Sequence, residues 1–199
     1  MTSPPLKFVG GHPALDLINT ADWTAGGPAG ERLPDYDRWA DWSERSGSLR
    51  PADARRLRAR GRRDPAGAAR ALQRVHAARD TLQRTLAARA AGHAPARADL
   101  KALNRLLGEA LARLELAPTS HGAALVWRDL EEQLDGPLWP VVWAAARLLE
   151  SDDADRIRVC DGIDCGWMYL DRSRNGLRRW CEMSTCGTRE KNRRRATAT

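Results

Sequence analysis

The sequence predicts a mainly α-helical protein with a small β element (α+β), made of a helical N-terminal domain and a short C-terminal module. Three observations predict this arrangement. Apolar residues recur at helical spacing over much of the first 150 positions. All four cysteines lie between residues 160 and 186, and most of the excess positive charge lies in the same segment. The polar run 151–155 separates the two parts and predicts domains 1–153 and 154–199.

The N-terminal residues show little helical periodicity. Residues 6–20 have the pattern of two short extended pieces around a turn at Gly10-Gly11. Residues 24–34 are rich in glycine and proline, which predicts a loop.

Five helices are predicted from capping residues and apolar periodicity. Their predicted ranges are 36–45, 51–60, 65–92, 97–113 and 138–150. Asp35 is a typical N-cap for the first of them, since its side chain can accept a hydrogen bond from a free N–H group of the first turn. The fourth helix has a predicted buried stripe that consists of Leu100, Leu103, Leu107, Leu111 and Leu114. Residues 114–117 and 124–127 then predict a β-hairpin.

The cysteines form two Cys-x4-Cys pairs separated by fifteen residues, at Cys160, Cys165, Cys181 and Cys186. Two such pairs can bring four thiolates into one tetrahedron, the geometry that structural zinc prefers. The alternatives are two disulfides or four unrelated buried thiols, and the absence of an export signal disfavours disulfides. We therefore predict one structural Zn²⁺ in a C-terminal zinc finger. Oxidation of the thiols would release the metal, and the spacing does not separate a static site from a redox-sensing one.

The formal net charge of +7 is unevenly distributed. Residues 156–199 contain 11 Lys/Arg and 5 Asp/Glu, a balance of +6, whereas residues 1–155 contain 22 and 21, a balance of +1. This asymmetry predicts a polyanionic partner, nucleic acid before an anionic membrane surface. A final helix is predicted from about Cys186 to Arg195. The predicted DNA-contacting residues are Arg172, Arg174, Arg178, Arg179, Arg189, Lys191, Arg193, Arg194 and Arg195.

Several classes of protein are disfavoured. No apolar run is long enough to span a bilayer, and no secretory signal is recognisable, so a cytoplasmic protein without a membrane partner is expected. The four histidines have no metal-ligand spacing, and no nucleophile elbow, phosphate loop or dinucleotide motif is present. The sequence therefore does not predict an enzyme.

Two segments resemble known families. The stretch from Cys160 to Ser173, followed by 178–189, resembles the CGNR zinc-finger signature, with Thr188 where that family usually has asparagine. Residues 11–20, Gly-His-Pro-Ala-Leu-Asp-Leu-Ile-Asn-Thr, resemble the opening of the ABATE domain that usually accompanies this finger. Together the two resemblances imply a bacterial transcription regulator related to stress, with a DNA-binding zinc finger.

The N-terminal domain is the predicted receiver of a signal, either as a small-molecule sensor or as a dimerisation unit. Six of the eight tryptophans lie in it and can line an apolar pocket, although tryptophans at helical spacing are also common in cores. The candidate effector-binding residues are Asp16, Asn19, Trp39, Trp139 and Trp143, and the two polar ones are equally compatible with a capping role. The helix 138–150 is expected to couple the two parts.

Two other functions fit the same pattern. The first is a protein–protein adaptor, in which the basic finger docks on an acidic partner. The second is an RNA-binding module, in which Trp167 or Tyr169 stacks on unpaired bases. Duplex DNA is the expected partner, with a small-molecule effector and a second copy of the chain as further candidates.

Overall fold

A computed structural model describes residues 4–24 and 27–197. Helices and three antiparallel two-stranded sheets make up this part of the chain, so the predicted mainly α class with small β elements is confirmed. The helices are α1 (Pro13–Ile18), α2 (Tyr36–Arg45), α3 (Pro51–Arg63), α4 (Pro65–Ala90), α5 (Arg97–Leu111), α6 (Leu138–Glu150) and α7 (Thr188–Ala196). The sheets pair β1 (Ala21–Thr24) with β2 (Gly27–Glu31), β3 (Leu114–Thr119) with β4 (Gly122–Trp127), and β5 (Ile157–Val159) with β6 (Met168–Leu170).

The helices with clear capping residues form where the sequence predicts them. Asp35 accepts a hydrogen bond from the backbone N–H of Arg38 at 2.8 Å, and α2 begins at the next residue. Asp64 caps α4 in the same way, through the N–H of Gly67 at 2.8 Å. Each cap satisfies an N–H group that has no partner within its own helix.

The N-terminal segment differs from its prediction. Residues 13–18 form a helix instead of an extended piece, with Pro13 in the first turn and His12 Nδ1 accepting from the N–H of Ala14 at 3.3 Å. Of residues 24–34, which are expected to form a loop, Thr24 ends β1 and 27–31 form its antiparallel partner β2, whereas residues 25 and 26 lie outside the part of the chain that the structure describes. Trp23 in β1 ties the β1–β2 hairpin to α1, because its indole N–H donates to the carbonyl of Ile18 at 2.7 Å.

The centre of the helical part is α4, which packs against α1, α2, α3, α5 and α6. Trp39 and Trp42 are fully buried beside it, with their rings stacked 5.3 Å apart. Arg79 interrupts the apolar face of α4, yet its side chain is only 4% exposed. Two hydrogen bonds to Glu31, at 2.7 and 2.8 Å, compensate for burying its charge.

The stripe predicted to be buried on α5 is only partly so. Leu103 is buried, but Leu100 and Leu111 near the two ends of the helix are 37% and 39% exposed. The β3–β4 hairpin that follows α5 forms as predicted, and most of its side chains are exposed.

The N-terminal part has a net charge close to zero, but it contains one strongly basic segment. Residues 50–63 contain seven arginines and one aspartate. Arg58 pairs with Glu44 and Arg62 with Asp37, both at 3.0 Å. The finger is therefore not the only basic surface of the chain.

Among the described residues, no helix is both long enough and apolar enough to cross a membrane.

Candidate metal centre

Each cysteine reaches the centre from a different piece of local structure. Cys160 directly follows β5, and a tight turn then leads to Cys165. Asp164 in this turn has a φ of 55°, a left-handed conformation that aspartate tolerates better than most residues do. Cys181 precedes a single π-helical turn, Met183–Gly187, which contains Cys186 and leads directly into α7.

The four sulfur atoms are spaced as a tetrahedral zinc site requires. All four lie within 4.8 Å of one another. The Sγ atom of Cys181 lies 3.8 Å from that of Cys165 and 3.6 Å from that of Cys186. A Zn–S distance of about 2.3 Å in a regular tetrahedron places the sulfurs about 3.8 Å apart. The cysteines are free thiols, so the donor set fits one structural Zn²⁺, and the predicted ligands are the residues that converge.

Backbone groups favour the thiolate form at Cys160. Its sulfur accepts from the N–H of Cys181 at 3.2 Å and of Gly162 at 3.4 Å. The pKa of Cys160 is lowered, chiefly by hydrogen bonds from the Cys165 and Cys181 thiols. The pKa of Cys165 is raised, because its thiol is a donor to Cys160. Without a cation the cluster thus stabilises one thiolate at the expense of the others, whereas a divalent metal stabilises all four.

The turn between Cys160 and Cys165 leaves little room for a side chain at Gly162. A Cβ atom there would lie 3.0 Å from Cys186 Sγ and 3.2 Å from Cys165 Cβ. Close approach of the backbone at this residue is what lets the two halves of the site meet.

The finger is hydrogen-bonded directly to the N-terminal part of the chain. The Asn19 side chain donates to the carbonyl of Met168 at 2.8 Å and accepts from its N–H at 2.9 Å. Leu170 donates to the carbonyl of Gly10 at 2.8 Å, and Gly166 donates to that of Trp23 at 3.0 Å. The polar run 151–155, expected to separate the two parts, overlaps a 3₁₀ turn, Asp152–Arg156. The division into domains stays a prediction, but the two ranges share one hydrophobic core.

Arg178 has a structural position that differs from its expected role as a DNA contact. Its guanidinium donates to the backbone carbonyls of Val9, Trp180 and Cys181, the first two at 3.0 Å. The same group lies 4.1 Å from the centre of the Tyr169 ring. Because the bond to Val9 joins the finger to the N-terminal segment and the other contacts hold the guanidinium within the finger, we do not propose Arg178 as a DNA contact.

The remaining predicted DNA-contacting side chains lie on the surface in two groups, one in the loop 171–179 and the other on α7. Four of them form surface ion pairs: Arg172 with Asp153, Arg179 with Asp161, and Arg193 and Arg194 with Glu190. The buried carboxylate of Asp171 orders the loop, accepting from the N–H and the hydroxyl of Ser173 and from the N–H of Arg178. Burial alone would raise the pKa of Asp171, but these hydrogen bonds outweigh it and lower the pKa.

The five candidate effector-binding residues do not form one group. Asp16, Asn19 and Trp39 are buried in the core, and Asn19 is fully used by Met168. Trp143 is half-buried on α6 with Arg147 stacked 5.8 Å from its ring centre. Trp139 lines a cavity of about 350 Å³ together with Arg74, Arg113 and Asp135, among others. An effector role for these residues stays a prediction.

Asp16 gives a testable pH dependence. Its Oδ1 accepts from the N–H of Gly10 at 2.8 Å, but burial dominates and raises its pKa to about 6. Because the folded pKa is raised, the stability that Asp16 contributes is complete below about pH 4 and is lost as the pH rises through about 6. Relative to the wild type, Asp16→Asn should therefore gain roughly 1–1.5 kcal/mol between pH 5 and pH 7.5. Urea unfolding of both proteins at several pH values measures this difference, and a constant difference across the range would contradict it.

The RNA-stacking interpretation does not fit the structure. Trp167 is 7% exposed, with its indole N–H bonded to the carbonyl of Ala21 at 2.9 Å, and Tyr169 is 1% exposed. Neither ring is available to an unpaired base, because Trp167 is bonded to the N-terminal part and Tyr169 is covered by Arg178 within the finger.

Sequence reasoning missed Lys7, Trp23 and Arg32, which line a cleft between the finger and the N-terminal part together with residues that it did predict. This cleft has a volume of about 360 Å³, and its lining includes Lys7, Trp23, Arg32, Cys165 and Arg189. Arg32 pairs with Asp22 at 2.6 Å and lies 4.9 Å from the centre of the Trp167 ring. No local pattern marks these residues, because they come together only when distant segments fold.

Comparison with known families agrees with this geometry. The model of the ABATE family, described as "putative stress-induced transcription regulator", matches residues 11–152, more than two thirds of the chain. The model of the CGNR zinc finger matches residues 156–197, which contain all four cysteines. Among curated proteins, none matches the sequence significantly. The chain belongs to the ABATE family of regulators and ends in a CGNR zinc finger that holds one structural zinc.

Proposed function

We propose that this protein is a DNA-binding transcription regulator whose finger contacts duplex DNA through α7 and the loop 171–179. The observation that carries the proposal is the attachment of α7 to the zinc site. Cys186 lies in the π-helical turn directly before this helix, and Thr188 ties the junction by donating to the carbonyl of Met183 at 3.0 Å. The zinc site therefore fixes where the helix points.

The surface of α7 has the charge and size for a DNA groove. Of the side chains from 188 to 196, all but Glu190 are exposed, and five of them are Lys or Arg. An α-helix with its side chains is about 10–12 Å in diameter, which fits the roughly 12 Å width of the major groove. Arg193 and Arg194 pair with the carboxylate of Glu190, which is about 10% exposed, but their own side chains are 50% and 60% exposed and can contact phosphates while keeping that pair.

Arg189 and Lys191 are the most informative residues to change, because both are exposed and neither supports the fold through a described ion pair. The double variant Arg189→Ala/Lys191→Ala should bind a 24-bp duplex about 10–100-fold more weakly at about 0.1 M salt. The slope of log K against log salt concentration should fall by about 2, since each lost phosphate contact removes about 0.9. Fluorescence anisotropy with labelled DNA over a salt series measures both quantities.

A charge-matched control separates these contacts from a general effect of net charge. Arg84→Ala/Arg147→Ala removes two surface arginines that pair with Asp99 and Glu150 on the helical part. This control should keep the wild-type salt slope. Equal weakening in both double variants would contradict a contact through α7. Binding of single-stranded RNA as tight as that of duplex DNA would contradict the preference for the duplex, and no salt-dependent binding to either would favour the adaptor.

The N-terminal domain is the proposed receiver of the regulatory signal. Its contact with the finger supports this role, because α1 is hydrogen-bonded to β6 through Asn19 and Met168. An effector that shifts α1 would therefore act on the finger directly, in addition to any effect through α6. This path is shorter than the one expected from the sequence.

A further inference from the structure

The cleft between the finger and the N-terminal part opens onto the zinc ligands. Its volume is about 360 Å³, and Cys165, Cys181 and Cys186 are among the residues that line it. Cys165 is partly exposed, whereas each of the other three ligands is at most 7% exposed. One water molecule occupies about 30 Å³ of the liquid, so the cleft has room for small molecules from solvent. Cys165 is therefore the ligand most open to such a molecule.

Two backbone hydrogen bonds disfavour a reaction at Cys160. Its sulfur accepts from the N–H of Cys181 at 3.2 Å and from that of Gly162 at 3.4 Å. N–H groups that bond to a thiolate stabilise its negative charge, and a more stable thiolate is a weaker nucleophile. Burial of Cys160 adds to this effect, because it keeps reagents away from the sulfur.

Cys181 is placed to form a disulfide with Cys165. Their Sγ atoms lie 3.8 Å apart, and a disulfide bond is about 2.05 Å long, so small shifts of the two side chains close the gap. The two residues belong to different Cys-x4-Cys pairs. A bond between them therefore takes one ligand from each half of the zinc site.

We propose that Cys165 is an oxidation site through which hydrogen peroxide opens the zinc centre. With zinc bound, the sulfurs are thiolates, the form of cysteine that reacts with peroxide. The Cys165 thiolate attacks one peroxide oxygen, the O–O bond breaks and hydroxide leaves, so the sulfur becomes a sulfenic acid. The Cys181 thiolate then attacks this sulfur, the S–S bond forms, the S–O bond breaks and a second hydroxide leaves. The two sulfurs together lose two electrons, which the peroxide gains.

Positive charge beside the cleft favours this reaction. Lys7, Arg32 and Arg189 are among the residues that line it. Lys7 forms an ion pair with Glu182 and Arg32 with Asp22, but Arg189 is exposed and forms no ion pair with any described residue. A cation next to a breaking bond stabilises the negative charge that develops on the leaving oxygen. The charge of Arg189 is therefore available to the departing hydroxide.

Oxidation at Cys165 would detach α7 from the zinc site. A disulfide between Cys165 and Cys181 leaves two thiolates, which are too few for a structural zinc site. Loss of the metal frees Cys186, which lies in the turn directly before α7. Peroxide should therefore weaken DNA binding, a consequence that rests on the proposed function, whereas oxidation and zinc release do not.

The first test follows zinc and thiols in the wild type. Zinc-loaded full-length protein is treated with excess hydrogen peroxide, released zinc is measured with a chromogenic chelator, and the remaining thiols are alkylated at intervals. Zinc release should proceed in step with the disappearance of the Cys165 and Cys181 thiols. Dithiothreitol with added zinc should then restore the original metal content, because a disulfide is reversible by thiol exchange.

Cleavage at acidic residues locates the new bond. Each Cys-x4-Cys pair is split by such cleavage, since Asp161 lies within the first pair and Glu182 within the second. Mass spectrometry of the fragments should find Cys165 joined to Cys181 as the first product, with the other two cysteines alkylated.

Two tryptophan variants test the cleft as the route of the oxidant. Thr185 lines the cleft, whereas Ser184, its exposed neighbour, lies outside the lining. Thr185→Trp narrows the cleft and should slow zinc release at least ~10-fold, because susceptibility to oxidation follows access to the thiolate. Ser184→Trp adds the same side chain outside the cleft and should release zinc at the wild-type rate. Both variants should hold one zinc per chain before peroxide is added.

Three outcomes would overturn the proposal. The first is an initial disulfide that lacks Cys165, and the second is retention of zinc and of all thiols in excess peroxide. The third is an equal rate of zinc release from the two tryptophan variants, which would show that the oxidant does not enter through the cleft. None of these measurements uses DNA. A protein that resists peroxide and still binds DNA through α7 would therefore contradict this proposal and leave the proposed function intact.

Discussion

Cys181→Ser should abolish zinc binding and release the second half of the finger. Wild-type protein should contain one zinc per chain by elemental analysis, and the variant should contain none. Structural zinc sites of this kind contribute about 10–16 kcal/mol in zinc-finger peptides, which matches or exceeds the total stability of a typical domain. Cys181 has a central position in the cluster, with its sulfur within 3.8 Å of those of both Cys165 and Cys186.

Loss of the metal should not affect all of the finger equally. The strands β5 and β6 are packed on α1 and α4, and Ile157, Met168 and Leu170 are buried in the shared core. By contrast, α7 packs mainly on the π-helical turn that contains Cys186. In Cys181→Ser we therefore expect protease cleavage to concentrate between residues 172 and 197, with the helical part protected, as limited proteolysis with mass spectrometry would show.

A control two residues further along the chain separates the effect of the metal from general effects of substitution. Met183 is 65% exposed and is no ligand, so Met183→Ser should retain one zinc and the wild-type cleavage pattern. Retention of a full equivalent of zinc by Cys181→Ser would contradict a four-cysteine site. A metal-free wild type with unchanged protease resistance would contradict the structural role of the metal.

The parts of the structure that the sequence predicts correctly depend on short-range signals. The helices α2 and α4 begin after Asp35 and Asp64, whose side chains bond to N–H groups three residues further on. The cysteine pairs are equally local, because each is separated by four residues, and zinc chemistry then requires the two pairs to meet. The metal site was therefore predictable down to its ligands.

The parts that it misses depend on contacts between distant residues. Helix α1 is only six residues long, and its C-terminal Asn19 bonds to Met168, 149 positions away. No local pattern shows that partner. From the sequence alone, Asn19 is therefore as compatible with binding an effector as with capping a helix. Arg178 is counted with the DNA-contacting arginines from its charge, whereas its bond to Val9 spans 169 positions. Composition gives the number of arginines in a segment, but only the folded structure shows which guanidinium groups are already bound to other parts of the protein.

Asn19→Ala should give the second large effect, because it breaks the contact between α1 and the finger. Asn19 is fully buried, and its side-chain amide makes both hydrogen bonds to the backbone of Met168, at 2.8 and 2.9 Å. The substitution leaves a buried N–H and a buried carbonyl without partners and creates a small cavity. Each unsatisfied group costs about 1–3 kcal/mol, so the expected loss of stability is about 3–5 kcal/mol. Chemical denaturation followed by circular dichroism measures it.

The same variant tests how the two parts communicate. Asn104→Ala, at an exposed position on α5, is the matched control and should change stability by less than about 0.5 kcal/mol. If α1 holds the finger through Asn19, hydrogen exchange in Asn19→Ala should increase at β6 while zinc content stays at one per chain, because none of the four ligands is changed. Increased exchange confined to α1, with β6 as protected as in the wild type, would contradict a direct path. The side-chain amide of Asn19 bonds to the N–H and the carbonyl of Met168 on β6, as a third strand of the sheet would do. The loss of this amide should therefore loosen β6 as well as α1.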